Sequence, residues 1–222
     1  AFGRRFGTLN IHPYVKGMDG HPEIMQIVKE PEDRINFGGG WHSDMSFLEE
    51  PALGSILYAK EVPPYGGDTL WANQYLAYET LSDGMKETLS RMSAVHSDIT
   101  VAGPQAARNQ HRTTKVREDA DWQEHIAEHP VVRTHPETGR KGIYVNIAFT
   151  QHIAGMDKAE SDALLAHLYA QAAVPEYQCR FRWRKNSIAF WDNRACQHYA
   201  ASDYWPAVRK MERVTIIGDR PH

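Results

Sequence analysis

Tyr177-Gln-Cys-Arg-Phe-Arg-Trp-Arg184 alternates without a break, with Tyr177, Cys179, Phe181 and Trp183 on one side and Gln178, Arg180, Arg182 and Arg184 on the other. Successive side chains of a strand point to opposite faces, so this stretch predicts a strand with one buried and one solvated face. Downstream, Lys185-Asn186-Ser187 reads as a turn and Ile188-Ala-Phe-Trp191 as the next strand. Upstream, Val131-Val-Arg-Thr134 and Gly142-Ile-Tyr-Val145 flank Pro136-Glu-Thr-Gly139 as the arms of a hairpin. Two helices interrupt the strands. Leu81, Met85, Leu89 and Met92 recur at helical spacing, and Asp157 stands as an N-cap, with Glu160 three residues on, ahead of Leu164, Leu165 and Leu168. The pattern predicts a mainly β fold with helical insertions, built on a double-stranded β-helix, or jelly-roll, core.

The 222 residues suit a single domain, 1–222, since β barrels and sandwiches of this length need not split. A formal net charge of -3 provides no electrostatic ground for nucleic acid or an anionic membrane as partner, which leaves small molecules as the expected ligands. The two cysteines, Cys179 and Cys196, have no zinc-knuckle or CxxC spacing, so neither a disulfide scaffold nor structural zinc is expected, and a reducing cytoplasm fits best. No run of about 18 apolar residues is present. Pro63-Pro64-Tyr65-Gly66-Gly67 is short enough to be a turn, and the pattern-poor stretch Ala102 to Asp121 is where a lid over a pocket is expected.

His-x-Asp on a strand aims both side chains at one face, where they can hold a single metal ion. His42-Ser43-Asp44 has this form, but so do His21 with Glu23, His96 with Asp98 and His135 with Glu137, and a lone match carries little weight among 12 histidines. Context separates the four. Proline follows His21 and His135, and His96 closes the first helical segment with no strand pattern before it. Gly38-Gly39-Gly40-Trp41 leads into His42, and Met45 and Phe47 then alternate with Asp44 and Ser46 as on a strand lining a core. Taken alone, His42 also reads as a surface or a hydrogen-bonded histidine. A third ligand must come from a distant strand, and His198 follows the apolar strand that ends at Trp191. Arg209 and Arg213 share strand parity with Met211 and Thr215, so both guanidinium groups can face inward, where they need anions, unless the strand is an exposed edge.

Six blocks carry a further likeness: Trp41-His-Ser-Asp-x-Ser-Phe47, Gly66-Gly-Asp-Thr-Leu-Trp71, His129-Pro-Val-Val-Arg-Thr-His-Pro136, Trp191-Asp-Asn-Arg194, His198-Tyr-Ala200 and Arg209-x-Met-x-Arg-x-Thr-Ile-x-Gly-Asp219. In this order they resemble the taurine dioxygenase (TauD/TfdA) family of Fe(II)- and 2-oxoglutarate-dependent dioxygenases, which includes the phenoxyacetate herbicide-cleaving enzymes. The resemblance implies Fe(II), 2-oxoglutarate and O2 as cofactor and cosubstrates. It implies His42, Asp44 and His198 as metal ligands and Thr69 with Arg209 as the holders of the distal carboxylate of 2-oxoglutarate. His12, Arg213 and Phe149 fall where the family binds its substrate. It further implies a cytoplasmic homo-oligomer, dimer or tetramer, and an N-terminal segment preceding Ala1. Trp41, Phe47, Trp71 and Phe149 are expected as cavity walls or as plain core.

The implied activity is hydroxylation of a small anionic molecule, a sulfonate, sulfate ester or carboxylate, with release of succinate and CO2, as in taurine catabolism. Two departures argue against taurine itself. The family's aromatic two places after the His-Pro pair is Val15 here, with Tyr14 beside it, and a pocket asparagine four places before the first ligand is Gly38. Two rivals remain on sequence grounds, a zinc-dependent hydrolase and a non-catalytic jelly-roll binding protein.

Overall fold

Arg209–Ile217 is the central strand of the larger sheet, and its alternation is visible in burial: Arg209, Met211, Arg213 and Thr215 are buried, and the residues between them half-buried. The computed structural model of the chain describes residues 1–103, 106, 113–114 and 122–222. In chain order the strands are β1 (Gly17–Met18), β2 (His21–Lys29), β3 (Ala52–Glu61), β4 (Thr69–Asn73), β5 (Ser93–Ser97), β6 (Ile126–Pro130), β7 (Val132–Thr134), β8 (Lys141–Ile143), β9 (Thr150–Ile153), β10 (Gln178–Phe181), β11 (Ile188–Asp192), β12 (Cys196–Ala200) and β13 (Arg209–Ile217). The helices are α1 (Gln74–Glu79), α2 (Asp83–Leu89), α3 (Ile99–Ala102) and α4 (Lys158–Ala172).

A five-stranded sheet in the order β1-β2-β13-β3-β11 forms one wall and a three-stranded sheet, β10-β4-β12, the other. Ile27, Leu57 and Arg209 of the first and Thr69 and His198 of the second line one cavity, which places the site between the walls of the jelly-roll. A third sheet, β6-β5-β9, and the hairpin β7-β8 carry the helices. There Leu89, Val131, Ile143, Ile153 and Leu168 form a core of their own, apart from the Phe47 and Phe149 cluster that faces the cavity. The expected hairpin is present, with Val132 opposite Ile143 and Thr134 opposite Lys141.

The strand expected over Tyr177–Arg184 is shorter. Only Gln178–Phe181 pair, at the edge of the β10-β4-β12 sheet, and Cys179 is exposed rather than buried. The chain leaves the ladder so that Trp183 can bury its indole and donate to Thr69 Oγ1 at 2.9 Å, a buried bond that an edge strand's last pairs do not match. The helix read from Leu81 to Met92 spans only Asp83–Leu89, yet all four residues meet the same core from the helix and the turns beside it. Asp157 sits at the N-cap of α4 without a side-chain cap bond. Contrary to expectation His96 lies on a strand, β5, and is fully buried. The lid expected over Ala102 to Asp121 lies largely outside the described residues. Among the described residues no helix is long and apolar enough to cross a membrane.

Buried His96 gives the fold an acid sensitivity. Its Nδ1 contacts Ser46 Oγ at 3.0 Å, while burial, with nearby His129 adding to it, lowers its pKa to about 3. The unfolded chain takes up that proton near pH 6.5, so between the two values the unfolded state binds more protons and stability falls as pH falls. His96→Gln is expected to make the decline between about pH 6.5 and about pH 4 shallower by about 1.4 kcal/mol per pH unit, read by urea denaturation across that range. An unchanged slope would show that His96 is already protonated in the fold.

Candidate active site

His42 and His198 meet through their backbones. His42 N–H donates to His198 O at 3.1 Å and His198 N–H to His42 O at 2.8 Å, an isolated antiparallel bridge that brings the rings to 4.0 Å between centroids. His198 comes from β12, whose register against β4 sets it opposite Trp71. His42 is not on a regular strand: after the bridge the chain turns, with Met45 at φ 58, and so Asp44, Met45 and Phe47 are all buried where an alternating strand would expose every second residue. Gly38 makes room for the ring. Its φ is +81, and a Cβ there would lie 3.3 Å from His42 Cε1.

The tautomer of His42 follows from its partner. Nδ1 lies 2.7 Å from Gly40 O, an acceptor, so Nδ1 carries the hydrogen and Nε2 presents a lone pair. Nε2 of His42 and of His198 stand 3.7 Å and 3.8 Å from Asp44 Oδ1. Burial lowers the pKa of both imidazoles, that of His198 to about 3 with the proximity of His42 contributing, so both rings are neutral near pH 7. Burial alone would raise Asp44, but the Arg213 guanidinium, with the two histidines and Ser55, outweighs it and holds the carboxyl well below the usual range. Asp44 Oδ1 accepts from Arg213 Nη1 at 2.9 Å and Oδ2 from Ser55 Oγ at 2.9 Å.

These three residues form a group whose ligating atoms all lie within 4.8 Å of one another. Two neutral imidazoles and one carboxylate on one face suit a divalent first-row metal and leave further coordination positions open. The donor chemistry fits Fe(II).

Asn193 holds the triad's carboxylate residue from behind. Its Oδ1 accepts from Asp44 N–H at 2.7 Å, and its Nδ2 donates to Asp44 O and Ala52 O at 3.0 Å and 3.1 Å. The turn that carries it is pinned by Arg194, which grips Asp192 at 2.9 Å and 2.7 Å, and by His135 Nε2, 3.0 Å from the same carboxylate. Reading the sequence assigned no role to Asn193, because a turn residue has no periodic signature; only its place in the Trp191-Asp-Asn-Arg194 block marked it.

Two cavities flank the triad and share Phe37, Gly38, His42 and Arg213. The first contains His12, Tyr14, Phe47 and Phe149. His12 Nδ1 accepts the Tyr14 and Val15 N–H groups at 3.4 Å and 3.2 Å, so its remaining donor is Nε2–H; burial, then Arg213, lowers its pKa to about 3. Phe149 packs 5.0 Å from Phe47 and 6.2 Å from the His42 ring. Tyr14, rather than Val15, supplies an aromatic wall. Of the other expected walls, Trp41 packs on Tyr199, and Trp71 on Trp191 and Phe181, so neither reaches this cavity.

The second cavity brings Thr69 and Arg209 together. Thr69 Oγ1 receives the Trp183 indole, and Arg209 is buried with Nε and Nη2 lacking a hydrogen-bond partner among the described residues. Burial lowers the Arg209 pKa, offset in part by Tyr204 and Asp68. An unpartnered guanidinium in such a place calls for an anion. All eight site residues read from the sequence therefore border the two adjoining cavities, with Arg213 already engaged by Asp44.

Comparison with known proteins agrees with this geometry. The chain is 32% identical over 219 residues to an alkylsulfatase of Acinetobacter baylyi, covering 98% of this chain and 68% of that one. It is 35% identical over 227 residues to an alpha-ketoglutarate-dependent sulfate ester dioxygenase of Pseudomonas putida, covering 100% and 72%. A crystal structure of a taurine dioxygenase from Burkholderia xenovorans superposes with a TM-score of 0.78 at 35% identity, covering 100% of this chain and 71% of that one. The family model for the taurine catabolism dioxygenases TauD and TfdA matches residues 1–215, and the chain belongs to that family.

Proposed function

We propose that this protein is an Fe(II)- and 2-oxoglutarate-dependent dioxygenase that hydroxylates a small anionic organic molecule, with a sulfate ester or sulfonate as the favoured class. The observation that carries the reading is the juxtaposition of the His42, Asp44 and His198 donors with the buried Arg209 guanidinium, whose Nε and Nη2 lack a partner among the described residues, in an adjoining cavity. A zinc hydrolase has no need of that second cavity, and a passive scaffold has no need of two neutral imidazoles and a carboxylate converging on one point.

In this reading His42, Asp44 and His198 hold the metal, and Thr69 and Arg209 hold the distal carboxylate of 2-oxoglutarate. Arg209 suits that task because a planar guanidinium grips a carboxylate through two parallel hydrogen bonds. Iron with the keto acid and dioxygen supplies the oxidation, in which 2-oxoglutarate becomes succinate and CO2 and one oxygen atom enters a substrate C–H bond. The rest is positioning. Tyr14, Phe47 and Phe149 wall the first cavity and exclude water from the reacting carbon. His12 Nε2–H and the free edge of Arg213 are the donors available to the substrate's anionic head. Since Arg213 also bonds Asp44, the substrate's charge is read next to the metal ligand itself.

Relatives named for sulfate esters and alkyl sulfates favour that class here. Hydroxylation at the carbon bearing the sulfate yields a product that collapses to an aldehyde and free sulfate. The two free cysteines fit a reducing, cytoplasmic setting.

With Fe(II), 2-oxoglutarate and a panel of alkyl sulfates, sulfonates and aryloxy acids, succinate release is expected to depend on one of these substrates and on iron; zinc-supported turnover without 2-oxoglutarate would overturn the proposal. His198→Ala is expected to abolish turnover with the fold retained by circular dichroism. Arg209→Ala is expected to raise the KM for 2-oxoglutarate about tenfold or more, and Arg213→Ala to act chiefly on the primary substrate. Swapped phenotypes would reverse the assignment of the two arginines.

A further inference from the structure

Lys29, the last residue of β2, is 5% exposed, and its Nζ has no hydrogen-bond partner among the described residues. A buried ammonium without a partner is costly, and none of the roles assigned so far uses it. Directly opposite in the β2–β13 register stands Arg209, whose Nε and Nη2 are also buried and unpartnered. Residues opposed across an antiparallel pair point to the same face. Two buried cations, neither with a hydrogen-bonded carboxylate among the described residues, therefore stand side by side in one wall.

Tyr204 connects them. Lys29 Nζ lies 4.8 Å from the centroid of the Tyr204 ring. The position a Cβ would take on Gly67 is 3.2 Å from Tyr204 Cδ1 and 3.4 Å from Arg209 Cδ, so the ring and the arginine stem flank the same point. The ring is anchored, since its hydroxyl donates to Asn36 Oδ1 at 3.1 Å and Asn36 Nδ2 donates to Ala201 O at 2.8 Å. Among the described residues Asp33 is the acid that acts on Lys29, and its Oδ2 is occupied by the Glu30 N–H at 2.8 Å.

Resting on the keto-acid assignment above, we infer that Lys29 is a specificity-determining residue of the cosubstrate pocket. Through the Tyr204 ring it places a second positive charge behind Arg209 and so favours a dicarboxylate 2-oxo acid over a monocarboxylate one. The distal carboxylate of a dicarboxylate lies in the field of both cations, in a medium that screens little, and so is attracted more strongly than by Arg209 alone. A monocarboxylate, bound through its 2-oxo acid end at the metal, brings no charge to either cation.

The test is calorimetric binding to the Mn(II)-loaded protein, without turnover, of N-oxalylglycine as the dicarboxylate and oxamate as its monocarboxylate counterpart. Lys29→Met is expected to weaken N-oxalylglycine about tenfold and to leave oxamate unchanged, with Lys29→Arg retaining wild-type discrimination. Lys29→Gln replaces the Met variant if the latter does not fold. Equal weakening of both ligands would show a merely structural lysine, and no weakening of either would show that its charge is not felt; each overturns the inference. Wild-type protein that binds N-oxalylglycine no better than oxamate would instead remove the keto-acid pocket, and the functional reading with it.

Discussion

The pair of backbone hydrogen bonds between His42 and His198 is the constraint on which the site depends. It joins the glycine-rich approach at Gly38–Gly40, in the connection between β2 and β3, to β12 of the second sheet. Once the two residues are bridged, their rings have little choice but to share a side. Gly40 O then sets the His42 tautomer, and Asn193 holds the backbone of Asp44 so that its carboxylate completes the group. None of these contacts is large in energy, each being of the order of about 1 kcal/mol net. Their value is positional, because they fix donors that must meet within a few tenths of an ångström.

Charge compensation governs the rest of the interior. β13 sends Arg209 and Arg213 inward, and its neighbour β2 adds Lys29. Asp44 answers Arg213 directly. Arg209 and Lys29 have no such answer within the described residues, and the wall they form is positive next to a triad that carries one carboxylate and two neutral rings. Such an arrangement is expensive for folding alone and becomes favourable when a ligand brings negative charge. The site is thus built to be occupied.

Much of this was legible in the sequence where the physical rule is local. The parity of Arg209, Met211, Arg213 and Thr215, the Val131–Val145 hairpin and the Leu165 and Leu168 stripe all appear in the fold, because alternation and helical spacing are set by the backbone's own geometry. The misreadings share one cause, competition from distant contacts. Alternation over Tyr177–Arg184 promised a longer strand and a buried Cys179, but the indole of Trp183 had a better partner in Thr69. His96 read as the end of a helix, yet pairing with β6 and β9 on both sides made it a strand residue. Trp41 and Trp71 were plausible cavity walls by type, and neighbouring aromatics claimed them instead.

By itself the sequence determined the candidate donor side chains, their order, and the family to which their blocks belong, since donor types and spacings are properties of the written chain. Only the tertiary structure decided how His42 comes to lie beside His198, that Arg213 spends one edge on Asp44, that Asn193 braces the ligand residue, and that Lys29 lies buried across from Arg209. The reason is physical. Periodicity specifies a face, whereas partners across sheets are chosen by burial and by the need to satisfy every buried polar group, which no local stretch of residues contains.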